Sequence, residues 1–214
     1  IAGNMEVQRR FMNNVAHELR TPLAVMRTKV DSLTDDAARL ALTTDVSRLT
    51  TIVSSMLQLA RLHNTELPFE PLRLNALARD VLADLAPLVL SNGIGIALEE
   101  EGAQDVLIAA NEATTRAAIA NLIDNALRHA QARSSILVRV IDGSVLEVSD
   151  DGIGIAAAKR AQVTEPFNRM SPHSTGAGLG LTIVRDIMAA HGGSLDLRDT
   201  EGGGTTIRLS FRVM

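Results

Sequence analysis

A chain of 214 residues, 46% of them apolar, is long enough to bury one large core or two small ones. Only 2% are aromatic and the formal charge is −4, so both the stacking platforms and the basic surface of a nucleic-acid binder are missing. There is no Cys, which excludes a disulfide framework, a thiolate metal site and a cysteine nucleophile. No apolar run reaches the ~18 residues a membrane span requires. The chain opens on Ile1 rather than Met. That start leads us to expect a piece of a longer protein, whose preceding part would carry any membrane segments.

In chain order, residues 5–63 read as two helices. In the first, Phe11, Val15, Leu19, Leu23, Met26 and Val30 recur at steps of three and four. In the second, Leu42, Val46, Leu49, Val53, Met56 and Ala60 step alternately by four and three. Residues 31–36 supply the turn between them. A single hairpin does not cover both stripes, so the expected solution is a homodimeric four-helix bundle. The competing reading packs these helices against the following domain. A short polar join at 65–68, ending in Pro68, separates the hairpin (1–64) from the remainder (69–214).

Past the join, residues 75–89 read as a helix, 94–98 and 106–109 as strands, and 112–129 as a strong helix. Strands are expected at 135–141 and 145–149, a helix at 179–191, then strands at 194–198 and 205–213. Tight turns such as Asp142-Gly143 imply antiparallel pairing. The expected class is α+β: the helical hairpin followed by an α/β sandwich, with a mixed sheet and helices on one face.

At ~100° per residue, His17 lies opposite the apolar stripe of the first helix and faces solvent. Glu18 beside it has the chemistry to orient the imidazole or take its proton. Thr21 shares its face one turn on. Pro22 removes a helical hydrogen bond to the carbonyl of Glu18 and weakens the helix there. An inert surface histidine on a kinked helix is the plain alternative. However, Phe11 followed by His17-Glu18-Leu19-Arg20-Thr21-Pro22-Leu23 resembles, at every fixed position, the H box of sensor histidine kinases. In that family the histidine accepts the phosphoryl group and the adjacent acid assists. The threonine helps to place water when the phosphorylated partner is dephosphorylated.

Four further motifs follow in order. Asn121, Asn125, Arg128 and His129 cluster near one side of the 112–129 helix. Carboxamide oxygens there suit Mg²⁺, while Arg and His suit phosphate oxygens. The stretch resembles the family's N box, which assigns Asn125 to the metal. Asp150-Asp151-Gly152-Ile153-Gly154 ends a predicted strand; a carboxylate there suits an adenine amino group, and the glycines let a ring approach the backbone. It resembles the first glycine box, whose leading Asp, here Asp150, fixes adenine. Gly176, Gly178 and Gly180 open a helix, an anion site by its bare amides, and resemble the second glycine box. Between the two, residues 165–169 resemble the F box, with Arg169 suited to phosphate. Two departures stand out: Asn168 where an aromatic is usual, and a short lid at 170–175 that contains Pro172.

The resemblance implies a two-component histidine kinase core that binds Mg²⁺-ATP and phosphorylates itself at His17. The phosphoryl group passes to an aspartate of a response-regulator receiver domain, which the kinase also dephosphorylates. It further implies the cytoplasmic part of a bacterial receptor anchored in the inner membrane. Two other readings compete with this one. An ATP-hydrolysing clamp like gyrase or the heat-shock chaperones would need a glutamate where Asn121 stands. A phosphotransfer scaffold with a decayed ATP domain is opposed by the intact glycine and N boxes.

Overall fold

The computed structural model describes residues 23–31, 33–64, 67–103, 105–130, 134–165 and 178–214. The described residues divide into two compact units. One is helical and precedes Leu67; the other runs from Leu67 to the C-terminus apart from Gly178 and Leu179.

In the helical unit, residues 23–31 (α1) precede α2 (Asp36–Asn64), with the described residues 33–35 leading into the second helix. Asp35 starts α2 by accepting the Ala38 amide at 3.2 Å, which satisfies one of the orphan donors of the first turn. Val30 and Val46 are each 7% exposed. Met26, Leu42, Leu49 and Met56 on the same stripes stay 43–48% exposed, so a single hairpin leaves much of its apolar face open.

The larger unit is built on a five-stranded sheet. Its elements are β1 (Glu70–Leu72), α3 (Leu74–Ser91), β2 (Gly95–Glu101), β3 (Ile108–Ala110), α4 (Glu112–His129), β4 (Ser135–Ile141) and β5 (Val145–Asp150). A 3-10 turn (Ala157–Lys159), α5 (Arg160–Val163), α6 (Gly180–Ala190), β6 (Ser194–Asp199) and β7 (Thr205–Ser210) complete it. The strand order is β2-β4-β5-β7-β6, with β2 and β4 parallel and every other pair antiparallel. The parallel pair requires a crossover, which α4 supplies. β1 and β3 form a separate two-stranded sheet. Asp142 and Gly143, at φ 47° and 60°, make the tight β4–β5 turn that the sequence predicts.

Strand alternation sorts the two sheet faces. Ile136, Val138, Val140, Leu146, Val148, Ile207 and Leu209 are buried on the face covered by α3, α4 and α6. The register sets a row of alternating charge across the opposite face: Glu99, Arg139, Glu147, Arg208 and Asp196, one from each strand. Glu147, buried at its centre, lies 3.3 Å from both Arg139 and Arg208. Two cations offset the cost of removing that carboxylate from water.

Helix α4 carries clear end signals. Asn111 caps it by accepting the Thr114 amide at 3.1 Å. Glu112 lies in its first turn and Arg128 and His129 in its last, each sign matching the helix dipole. The cap is braced by His191, whose Nε2 accepts the Asn111 amide at 3.1 Å while its Nδ1–H donates to the Ile187 carbonyl at 2.8 Å. Phe69 and Phe211 meet this imidazole edge-on. The ring is therefore neutral with its proton on Nδ1, and burial pulls its pKa below the ordinary histidine value.

Candidate functional site

The site grows from the end of β5. Asp150 is the last residue of that strand and points to the helix-covered face, where it is 6% exposed. Its Oδ1 accepts two backbone amides, Gly152 at 2.9 Å and Thr205 at 3.3 Å. Among the described residues its Oδ2 has no hydrogen-bond partner. Burial raises the Asp150 pKa above the usual carboxylate value, while the Gly152 and Thr205 amides and nearby His129 act against that rise. The result is a desolvated acceptor with one oxygen fixed and one free.

Its surroundings are backbone, held close by missing side chains. A Cβ on Gly152 would lie 2.6 Å from the His129 carbonyl oxygen and 2.9 Å from Asp150 Oδ1, so only glycine lets the loop tuck between α4 and β5. Gly204, at φ 94°, sits against the Asp150 carbonyl so tightly that any Cβ would collide with it. The site therefore has one wall at residues 151–155, another at the β6–β7 turn, and the end of α4 behind. A carboxylate oxygen left over in this way can accept the N–H of an amino group.

The sequence-predicted residues of α4 differ in their surroundings. His129 adjoins Asp150 and Gly152. Asn121 donates to the Ala117 carbonyl at 2.8 Å and faces Gly180, whose added Cβ would meet Asn121 Oδ1 at 3.6 Å. Asn125 is half-buried, and among the described residues its carboxamide has no hydrogen-bond partner. Its oxygen is thus free for a cation such as Mg²⁺. Arg128 pairs along its own helix, its Nε donating to Asp124 Oδ2 at 2.7 Å. Gly154 takes φ 71° and Gly178 φ 70°, while Gly180 is the first residue of α6. His17, Glu18, Thr21, Arg169 and Gly176 lie outside the described residues.

Sequence reasoning passes over two members of the site, Thr205 and Gly204. The one available signal is the Gly202-Gly203-Gly204 run, more glycine than a hairpin turn needs. A groove lined by Arg160, Thr164, Arg185, Met188, Leu195 and Leu197 holds none of the predicted site residues.

The fold is an α/β sandwich joined to a helical unit. Family models match both parts: a His Kinase A (phospho-acceptor) domain over residues 7–65, and a histidine kinase-, DNA gyrase B- and HSP90-like ATPase over residues 110–214. The chain is 33% identical over 220 residues to the sensor protein kinase PmrB of Pseudomonas aeruginosa, covering 96% of this chain and 46% of the relative. It is 31% identical to the sensor protein BasS of Escherichia coli, covering 98% and 60%. Among solved structures, full-length ShkA in complex with AMPPNP matches with a TM-score of 0.72 at 27% identity, covering 96% of this chain and 47% of that one. Acinetobacter baumannii AdeS, 23% identical, shares the fold at a TM-score of 0.64, covering 91% and 96%. The chain belongs to the sensor histidine kinases and corresponds to their catalytic core. It spans about half the length of the curated relatives it matches.

Proposed function

We propose that this chain is an ATP-dependent protein-histidine kinase that transfers the γ-phosphoryl group of Mg²⁺-ATP to its own His17. The observation that carries the nucleotide half is Asp150, desolvated, held at Oδ1 by two amides and free at Oδ2. Its carboxylate accepts the adenine amino group, and Gly152 and Gly154 border the ring. Asn125 offers its carboxamide oxygen to the Mg²⁺, which balances phosphate charge when bound. Gly176, Gly178 and Gly180, with Arg128, His129 and Arg169, form the phosphate side. Asn121, a neutral amide bonded to Ala117, stands where a hydrolase of this fold would need a glutamate base.

The acceptor half rests on the H-box residues. Glu18 assists as an imidazole nitrogen of His17 attacks the γ-phosphorus in line; that bond forms as the bond to the β–γ bridging oxygen breaks, and ADP leaves. His17 then hands the phosphoryl group to an aspartate of a response-regulator receiver domain, and Thr21 helps to place the water that later hydrolyses that aspartyl phosphate to free phosphate. Residues 1–64 form the phosphotransfer hairpin, 65–68 a linker and 69–214 the ATP domain. The half-exposed Met26, Leu42, Leu49 and Met56 are covered by the same face of a second copy. The parent protein is anchored in the inner membrane by its N-terminal part, with this portion in the cytoplasm.

The test is incubation with γ-labelled ATP and Mg²⁺. Label that survives base and is lost in mild acid marks a phosphoramidate on histidine. Acid-stable label, or release of free phosphate alone, overturns the reading.

A further inference from the structure

A second arrangement is the half-buried fork at Arg160, the first residue of α5. Its guanidinium donates in three directions: Nε to the Ile155 carbonyl at 3.2 Å, one terminal nitrogen to the Leu197 carbonyl at 3.4 Å, and the other to Asp199 Oδ1 at 2.5 Å. The side chain is 23% exposed while Asp199 is 76% exposed, so this is no loose surface pair. Two of the three acceptors are backbone carbonyls, one of them on the edge strand β6. An ammonium group has no planar fork with which to reach all three at once.

Two of the three arms lead to the walls of the Asp150 site. Ile155 directly follows Gly154, whose added Cβ would sit 3.2 Å from the Gly204 carbonyl. On the other side, Asp199 is the register partner of Thr205, and the Thr205 amide bonds Asp150 Oδ1. Asp199 also leads into the turn containing Gly204, which Thr200 closes by donating to the Gly204 carbonyl at 3.3 Å. The 151–155 wall and the β6–β7 turn have no covalent link near the site, and Arg160 bonds to the end of one and to the strand that leads into the other.

We infer that Arg160 is a positioning residue for base recognition: it clamps the two walls that aim Asp150, without touching the nucleotide itself. This rests on Asp150 taking the adenine amino group, so the test separates the two claims. Purine riboside triphosphate, which lacks the 6-amino group, and ATP are titrated in turn against the 214-residue chain. The wild type should prefer ATP by about tenfold or more, the value of one hydrogen bond to a charged acceptor. Equal affinity in the wild type removes the Asp150 reading and this inference with it. If the wild type discriminates, Arg160→Gln should cut the ATP preference by about threefold or more. Arg160→Lys should restore little of it. Loss of the exposed anchor in Asp199→Ala should shift the ratio the same way by less, and that variant decides the matter if Arg160→Gln does not fold. A full wild-type ratio in folded variants, with only the melting temperature lowered, makes Arg160 an ordinary stabilising residue and overturns the inference.

Discussion

Replacing Asp150 with Asn separates binding from stability. The substitution preserves shape, and the remaining carboxamide oxygen still accepts the Gly152 and Thr205 amides, as Oδ1 does now. Where Oδ2 stands, the variant presents an NH₂ group, so two donors meet at the adenine amino group. The loss of a hydrogen bond to a charged partner costs about 1.5–3 kcal/mol, a ten- to 150-fold weakening of ATP binding. Stability should move the other way. Burial lifts the Asp150 pKa, so the native state holds this proton more tightly than the unfolded chain does. Its contribution to stability is therefore present at low pH and lost as pH rises from the ordinary carboxylate value through the raised one. Asp150→Asn removes that loss, so at neutral pH its melting temperature should equal or exceed the wild type's. Nucleotide titration and thermal denaturation of the two proteins, run side by side at pH 7.5, make the measurement. Falls in both together would show that Asp150 mainly supports the fold, and unchanged titration would place adenine elsewhere.

Three further outcomes follow from other parts of the molecule. Gly152→Ala should weaken ATP binding by tenfold or more and cost about 1–3 kcal/mol, because its Cβ meets the His129 carbonyl; wild-type titration and denaturation curves would contradict this packing. His191, with its pKa lowered by burial, should give full stability above about pH 6.5, lost as pH falls from there toward the folded pKa. His191→Gln should flatten that part of the pH–stability curve; a slope equal to the wild type's would assign the effect to another group. Thr21→Ala should keep label uptake from ATP while slowing loss of phosphate from the regulator, measured as paired rates. Equal falls in both would leave Thr21 a helix-supporting residue only.

Much of the sheet is legible in the sequence because its signals are local. β4 spans residues 135–141 as the apolar alternation indicates, and the Asp142-Gly143 dipeptide supplies its turn. α4 runs from Glu112 to His129, bounded by a cap and by charges of matching sign. β1 escapes because Glu70-Pro71-Leu72 is too short for any period and contains a proline; its pairing with β3 shows only in three dimensions. α5 escapes because residues 156–163 lack an apolar rhythm. Half of the Asp150 site is equally hidden. The strand end and its glycines read directly, whereas Thr205 arrives from 55 residues away. The Arg160 fork relies on two backbone carbonyls and on Asp199, 39 residues distant, and the His191 brace on an amide 80 residues distant. Backbone acceptors leave no mark on residue identity, so register and turn geometry must be known before such contacts are visible.

Everything proposed for this chain turns on phosphoryl transfer to His17. The direct measurement is labelling of wild type and His17→Gln with γ-labelled ATP, alongside nucleotide titration of both. Acid-labile label is expected in the wild type and none in the variant, with equal ATP affinity. Full labelling of a folded His17→Gln protein would contradict that transfer.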